Sequence, residues 1–204
     1  DNIPIIGKRK FKNFYKEILD DTSNDLIELG NQLIQPIVSN NDSVIRAFVN
    51  CYYWINMPLY DKESRNLKDI SDLQTQLTYL MKSLIIDYLQ DDLKYNKLPS
   101  EIKKKFKKKD NIFKSYLNKF RKSSLNTNGV SELLILSHIF SIPIVVYDNL
   151  SNVKYLFNNG IIKINKDTVK IFTDKSKLNS TIFIKFDYEG SRSIPINIYS
   201  IYYL

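Results

Sequence analysis

Apolar positions recur at helical spacing through the first two-thirds of the chain and then give way to strand-like runs. Residues 126–148 (NTNGVSELLILSHIFSIPIVVYD) contain both patterns. A polar turn holds Gly129, a residue that takes φ > 0 without steric penalty. Val130, Leu133, Leu134, Leu136, Ile139 and Phe140 then cover more than one face of a helix. Ser141-Ile142-Pro143 ends that helix, and the β-branched run Ile144-Val145-Val146-Tyr147 reads as a buried strand. A segment apolar on nearly every side belongs in mid-core, with other elements packed on both of its faces.

Upstream, residues 8–19 predict a basic amphipathic helix with Phe11, Phe14, Tyr15, Ile18 and Leu19 on one side. Thr22-Ser23 offers an N-cap to a second helix carrying Leu26, Ile27, Leu29, Leu33 and Ile34, stopped at Pro36. After the polar stretch Ser39-Asn40-Asn41-Asp42, either Asp42 or Ser43 can cap a helix in which Val44, Ile45, Ala47, Phe48 and Cys51 recur. The stripe Ile70, Leu73, Leu77, Leu80, Met81, Leu84, Ile85, Tyr88 predicts the longest helix, over 70–89. A shorter helix with Phe113, Tyr116, Leu117 and Phe120 follows the lysine run at 103–109. Strands are expected at 144–147, 153–157, 161–164, 168–172, 182–186 and 194–203, separated by turns bearing Asn, Gly and Asp. The order, helix-rich first half and strand-rich C-terminal part, gives an α+β fold with helices around a sheet. Residues 1–36 read as a helical extension and 37–204 as the main domain.

Composition adds bounds. A chain of 204 residues, 43% hydrophobic and 25% charged, can bury one substantial core. No apolar run approaches the roughly 20 residues of a membrane span, and no signal-peptide pattern stands at the start. The first residue is Asp rather than Met, which reads as a chain cut from a longer one. One cysteine and one histidine exclude an internal disulfide and a structural zinc site. That usage fits a reducing, cytoplasmic compartment. Heavy use of Asn, Ile, Lys and Tyr fits an AT-rich genome such as a virus's. Five glycines and no Gly-rich phosphate loop make a nucleotide fingerprint implausible, and no cofactor is expected.

The net charge of +8 is concentrated. Residues 94–122 hold twelve Lys/Arg against Glu101 and Asp110, so the rest of the chain is slightly acidic. Lys103, Lys104, Lys105, Lys107, Lys108 and Lys109, with Phe106, Tyr116, Arg121 and Lys122 nearby, have the composition to contact phosphates and stack bases. The more ordinary reading is a solvated lysine face, and lysine without arginine suits nonspecific attraction more than shaped recognition. A nucleic acid or an acidic surface is the partner this segment implies.

Two further segments resemble ovarian-tumour-type (OTU) cysteine proteases, which cleave ubiquitin from lysines. The stretch Asn40-Asn41-Asp42-Ser43-Val44-Ile45-Arg46-Ala47-Phe48 is similar to the family's Asp-Gly-Asn-Cys-x-(x)-Arg-Ala motif. Thr127-Asn128-Gly129-Val130-Ser131-Glu132-Leu133, then Leu136-Ser137 and Pro143-Ile144-Val145-Val146, is similar in order and spacing to Trp-Gly-Gly-x-x-Glu-Leu, Ala-Leu-Ser and a strand opening Pro-Ile. The resemblance implies a central mixed sheet with helices around it, over roughly 36–204. The helix at 70–89 and the segment after it stand where the family has its helical arm.

The departures bear on chemistry. The resemblance places Ser43 at the nucleophile position, Asn40 at the Asp position, and Ile198, before Tyr199, at the catalytic His position. A cysteine at a helix N-terminus acts because the helix field and a neighbouring imidazolium stabilise its thiolate. A serine hydroxyl needs a general base within hydrogen-bond reach. His138 lies inside the apolar helix and reads as a packed structural residue. Cys51, spaced from Val44 and Phe48, reads as core, and paired carboxylates such as Asp20-Asp21, Asp91-Asp92 and Asp187/Glu189 read as capping or solvated. The expectation is a catalytically inactive OTU-like domain that binds a protein, ubiquitin or another subunit. Asn128, Gly129 and Tyr199 are its inherited binding positions, and Tyr52, Tyr53 and Trp54 are candidate contacts. The alternatives are a divergent OTU isopeptidase with a rearranged catalytic set and a basic nucleic-acid-binding domain.

Overall fold

A computed structural model of the chain describes residues 27–29, 32–37, 40–56, 67–150, 152–163 and 180–203. The helix expected at 8–19 and the strand expected at 168–172 lie outside them, as do residues 1–26 of the proposed extension. Where a second helix was expected, the chain forms a hairpin of strands β1 (Ile27–Leu29) and β2 (Gln32–Ile37). Leu29 pairs with Gln32 at one end of this antiparallel pair, and Ile27 with Ile34 at the other. Pro36 does not stop a helix; it lies in β2 opposite Tyr199, beyond the residues that pair with β1. A missing N–H costs less at such a position, because at Pro36 itself only β7 pairs with β2 among the described residues.

Among the described residues six helices follow, α1 (Ser43–Asn56), α2 (Leu67–Gln90), α3 (Asp92–Asn96), α4 (Ser100–Lys105), α5 (Asn111–Arg121) and α6 (Val130–Ile139), of which the short α3 and α4 were not expected. Asp42, not Ser43, stands at the N-cap of α1: its carbonyl accepts the first helical bond, from the Arg46 N–H at 2.9 Å. The short α3 is capped by the Asp91 carboxylate, which accepts from the Lys94 N–H. That bond holds the Asp91 carboxyl below its ordinary range. The remaining strands are β3 (Ile144–Tyr147), β4 (Val153–Asn158), β5 (Ile161–Lys163), β6 (Ile182–Asp187) and β7 (Asn197–Tyr203). Residues 194–196, expected to be strand, precede β7.

The seven strands make one mixed sheet in the order β1-β2-β7-β6-β3-β4-β5, with β3 and β6 its parallel pair. Strand alternation divides the side chains between its faces. Ile144, Val146, Ile182, Ile184, Phe186, Ile198 and Tyr202 share one core with Phe48, Ile85, Leu133 and the other buried helical residues. Val145, Leu156, Phe183 and Ile201 pack together on the opposite face. α1 is fixed on the first face by two polar contacts. The Ser200 hydroxyl donates to the Ala47 carbonyl at 3.0 Å, and the Cys51 thiol donates to the Phe183 carbonyl at 3.4 Å. Among the described residues no helix is long and apolar enough to cross a membrane.

Candidate functional site

The groove at the start of α1 is built from three chain segments that the sheet brings together. The first is the turn before α1. The Asn40 side-chain oxygen accepts from the Asp42 N–H at 2.8 Å, an Asx turn. The Ser43 hydroxyl donates to the Asn40 carbonyl at 2.7 Å and accepts from the Asn40 N–H at 2.8 Å. Its side chain is thus turned back onto the backbone of its own turn.

The second segment is the loop leading into α6. Gly129 has φ +80°, and a Cβ there would lie 2.7 Å from Val44 Cγ2, so the absence of a side chain lets this loop close on α1. Thr127 accepts from the Gly129 N–H and donates to Glu132, while Asn128 accepts from the Val130 N–H. Glu132 is buried at the base of this turn and also accepts from the Tyr116 hydroxyl. Burial raises its carboxyl above the ordinary value, and the two hydroxyl donors partly offset that. Sequence reasoning matched Glu132 to a motif without seeing that it is buried.

The third segment, residues 194–198, closes the groove. Ile198 is buried in β7, opposite Ile37 on β2 and Phe186 on β6. The resulting space of about 280 Å³ is bordered by Asn40, Ser43 and Ile198 together, with Asn126 and Thr127 from the α6 loop. Among the described residues none of the side chains lining it is ionisable.

The other candidates lie elsewhere. Gly129 is packed under Val44, Asn128 is exposed, and neither borders the groove. Tyr199 follows Ile198 in β7 and so projects from the other face of the sheet, with Lys185 Nζ 5.5 Å from its ring centre. Cys51 is buried, and that burial pushes its thiol up to about 12. His138 comes eight residues after Val130, about 12 Å along α6, and packs beside Gly160 at the β4–β5 turn. Tyr53 is buried and Tyr52 stacks on Phe48, so neither is an exposed anchor; Trp54 lies outside the residues with described side chains.

One feature beside the groove had no signal in the sequence. Lys82 of α2, only 3% exposed, reaches Asp42 at 3.0 Å and donates to Ser123 at 2.6 Å. Ser123 donates in turn to Asp42 at 2.7 Å, and its carbonyl accepts from the Asn41 amide at 2.8 Å. This buried ion pair ties the groove-forming turn to α2 and to the end of α5.

In the basic segment, Lys103 donates to the Asn96 carbonyl, and Lys108 pairs with Asp92 and donates to the Gln90 carbonyl. The aromatics expected to stack bases do not do so: Phe106 is 4% exposed and Tyr116 is held edge-on against it, bonded to Glu132. That removes the stacking platforms a nucleic-acid reading requires.

No protein-family model matches the chain. A protein of Acanthamoeba polyphaga mimivirus, described only as uncharacterized, is 32% identical over 215 aligned positions. The match takes in 99% of this chain and 13% of that much longer protein. The crystal structure of an OTU deubiquitinase from Wolbachia pipientis wMel superposes with a TM-score of 0.59 at 13% identity, over 86% of this chain and 91% of that one. At that identity the likeness concerns the fold alone: the mixed sheet with its surrounding helices is an OTU-like fold.

Proposed function

We propose that the chain is a catalytically inactive OTU-like domain acting as a protein-binding module, with ubiquitin the first partner to test. One observation carries the reading: Asn40, Ser43 and Ile198 border a single groove whose described lining holds no ionisable side chain. Peptide-bond hydrolysis through a side-chain nucleophile needs an anion, or a group that takes up its proton. The Ser43 hydroxyl donates its proton to the Asn40 carbonyl, which cannot carry it away. The chain's one thiol is buried in the core, and its one imidazole lies toward the far end of α6. What the groove retains is a means of binding: apolar walls from Ile37, Val44 and Ile196, and amides from Asn40, Asn41 and Asn126. The great length of the mimivirus relative suits a module that works beside other regions.

The test has two arms. Ubiquitin bearing a C-terminal electrophile should form no covalent adduct, and adduct formation would restore the active-isopeptidase alternative. In the second arm, isotope-labelled ubiquitin titrated with the chain should show localised shifts in its NMR spectrum. Ile196→Asp, at the exposed lip of the groove, should abolish them. A spectrum unchanged at high protein concentration removes ubiquitin as the partner.

A further inference from the structure

A second groove, lined by none of the residues that border the first, points to a separate interaction surface. It lies between α4 and α5, over a floor of Phe106, Phe113 and Tyr116, and encloses about 260 Å³. Small-molecule sites usually span roughly 300–1,000 Å³, so this one is sized for one or two side chains. Its turn is rigid: the Tyr95 hydroxyl donates to the Phe106 carbonyl at 2.5 Å and accepts from the Lys108 N–H at 3.3 Å. Ile112, 78% exposed, stands at the lip.

The rim is cationic. Lys104, Lys105 and Lys107 border the groove against the single carboxylate of Asp110. Lys103 and Lys108 are engaged internally, as described above. Lys104, Lys105, Lys107 and Lys109 are exposed and make no ion pair with any described residue. Three of these, Lys104, Lys105 and Lys107, border the apolar floor without an ion-pair partner among the described residues. They complement a ligand that is both acidic and apolar.

We infer that this groove docks an acidic peptide segment carrying one or two large apolar side chains, with the apolar residues over Phe106 and Phe113 and the carboxylates on the lysine rim. A nucleic acid is the poorer fit, because the aromatic faces are turned into the core and the rim lacks arginine forks.

The experiment uses fluorescence anisotropy with a labelled peptide of glutamates and aspartates around a central Leu-Phe pair. Two competitors accompany it, the same peptide with Ala-Ala at its centre and an oligothymidylate of equal charge. The Leu-Phe peptide should bind at least tenfold more tightly than either. The charge reversal Lys104→Glu/Lys105→Glu/Lys107→Glu should weaken it at least tenfold, with circular dichroism establishing that the variant folds. Ile112→Ala, which adds no charge, should weaken the Leu-Phe peptide and leave the Ala-Ala peptide unaffected. Equal binding of the two peptides, or tighter binding of the oligothymidylate, overturns the proposal, as does the absence of binding. Ile196→Asp should leave the peptide affinity unchanged, so failure here is separable from failure of the ubiquitin groove.

Discussion

Gly129 shows how much one missing side chain accomplishes. With φ at +80° it sits in a region that costs an L-residue about 1–2 kcal/mol, and its virtual Cβ would meet Val44 at 2.7 Å and Phe186 at 3.3 Å. Gly129→Ala should therefore destabilise by about 2–4 kcal/mol, strain and overpacking together. Gly190 offers the control: its φ is +59° with nothing within 4 Å, so Gly190→Ala should show the conformational part alone, about 1–2 kcal/mol. Urea denaturation of the two variants measures the difference; equal losses would mean that the contact with Val44 is relieved for free. Three residues on, Glu132 predicts a pH dependence. Its folded pKa is raised by burial, so between the ordinary glutamate value and the raised one the native state holds a proton the unfolded state has lost. The sign follows: its contribution is fully present below the unfolded value and is lost as pH rises through the folded one. Urea midpoints should fall across that window in the wild type, and Glu132→Gln should flatten the fall.

Among elements, α1 and α2 are joined by a charge pair rather than by apolar contact alone. Asp42→Asn leaves the Lys82 ammonium almost fully buried without a counter-charge, and such orphaning costs about 3–5 kcal/mol. The double variant Asp42→Asn/Lys82→Met removes the stranded charge and should be more stable than Asp42→Asn alone; a double-mutant cycle reads the coupling directly. This pair was invisible in the sequence because it joins residues forty apart, and neither stands in a local pattern that announces burial. Helices α1, α2 and α5 were legible from apolar residues at 3.6 spacing, although Leu80 of the expected α2 stripe is exposed, and α6 was legible instead as a run apolar on nearly every side. The β1–β2 hairpin was misread for a related reason: Ile27, Leu29, Leu33 and Ile34 satisfy both a loose helical template and a strand one. The arbiter was present, the Gly30-Asn31 dipeptide at hairpin spacing, but Pro36 was given the deciding weight as a helix stop. The first residues of the expected last strand, 194–196, were lost to β7 because alternation cannot distinguish a strand from an extended lip.

At the scale of the whole molecule, the groove gathers Asn40, Ser43 and Ile198 from positions more than 150 residues apart, because β2 and β7 pair so that Ile37 faces Ile198. The OTU resemblance, not residue spacing, was what grouped those positions in the sequence. It did not foretell the bond from Ser43 to its own turn, which depends on the fold of Asn40. The arrangement makes a reconstruction possible, and its outcome tests the assignment of Ile198 to the base position. The background is favourable: Cys51 is buried in the core and that burial pushes its thiol up to about 12, so little of it is thiolate near neutral pH. The wild type should therefore resist iodoacetamide while folded and react on unfolding. Ser43→Cys places a thiol at the start of α1 with the helix field but without a base, and sets the reference rate of reaction with iodoacetamide. Adding Ile198→His supplies an imidazole across the groove, and the double variant should then alkylate faster at pH 6–7 and couple slowly to electrophilic ubiquitin. Circular dichroism would establish that both variants fold. If the single and double variants alkylate alike, the imidazole at 198 does not reach the sulfur, and the geometric reading of this groove as a disarmed protease cleft fails, whatever its partner.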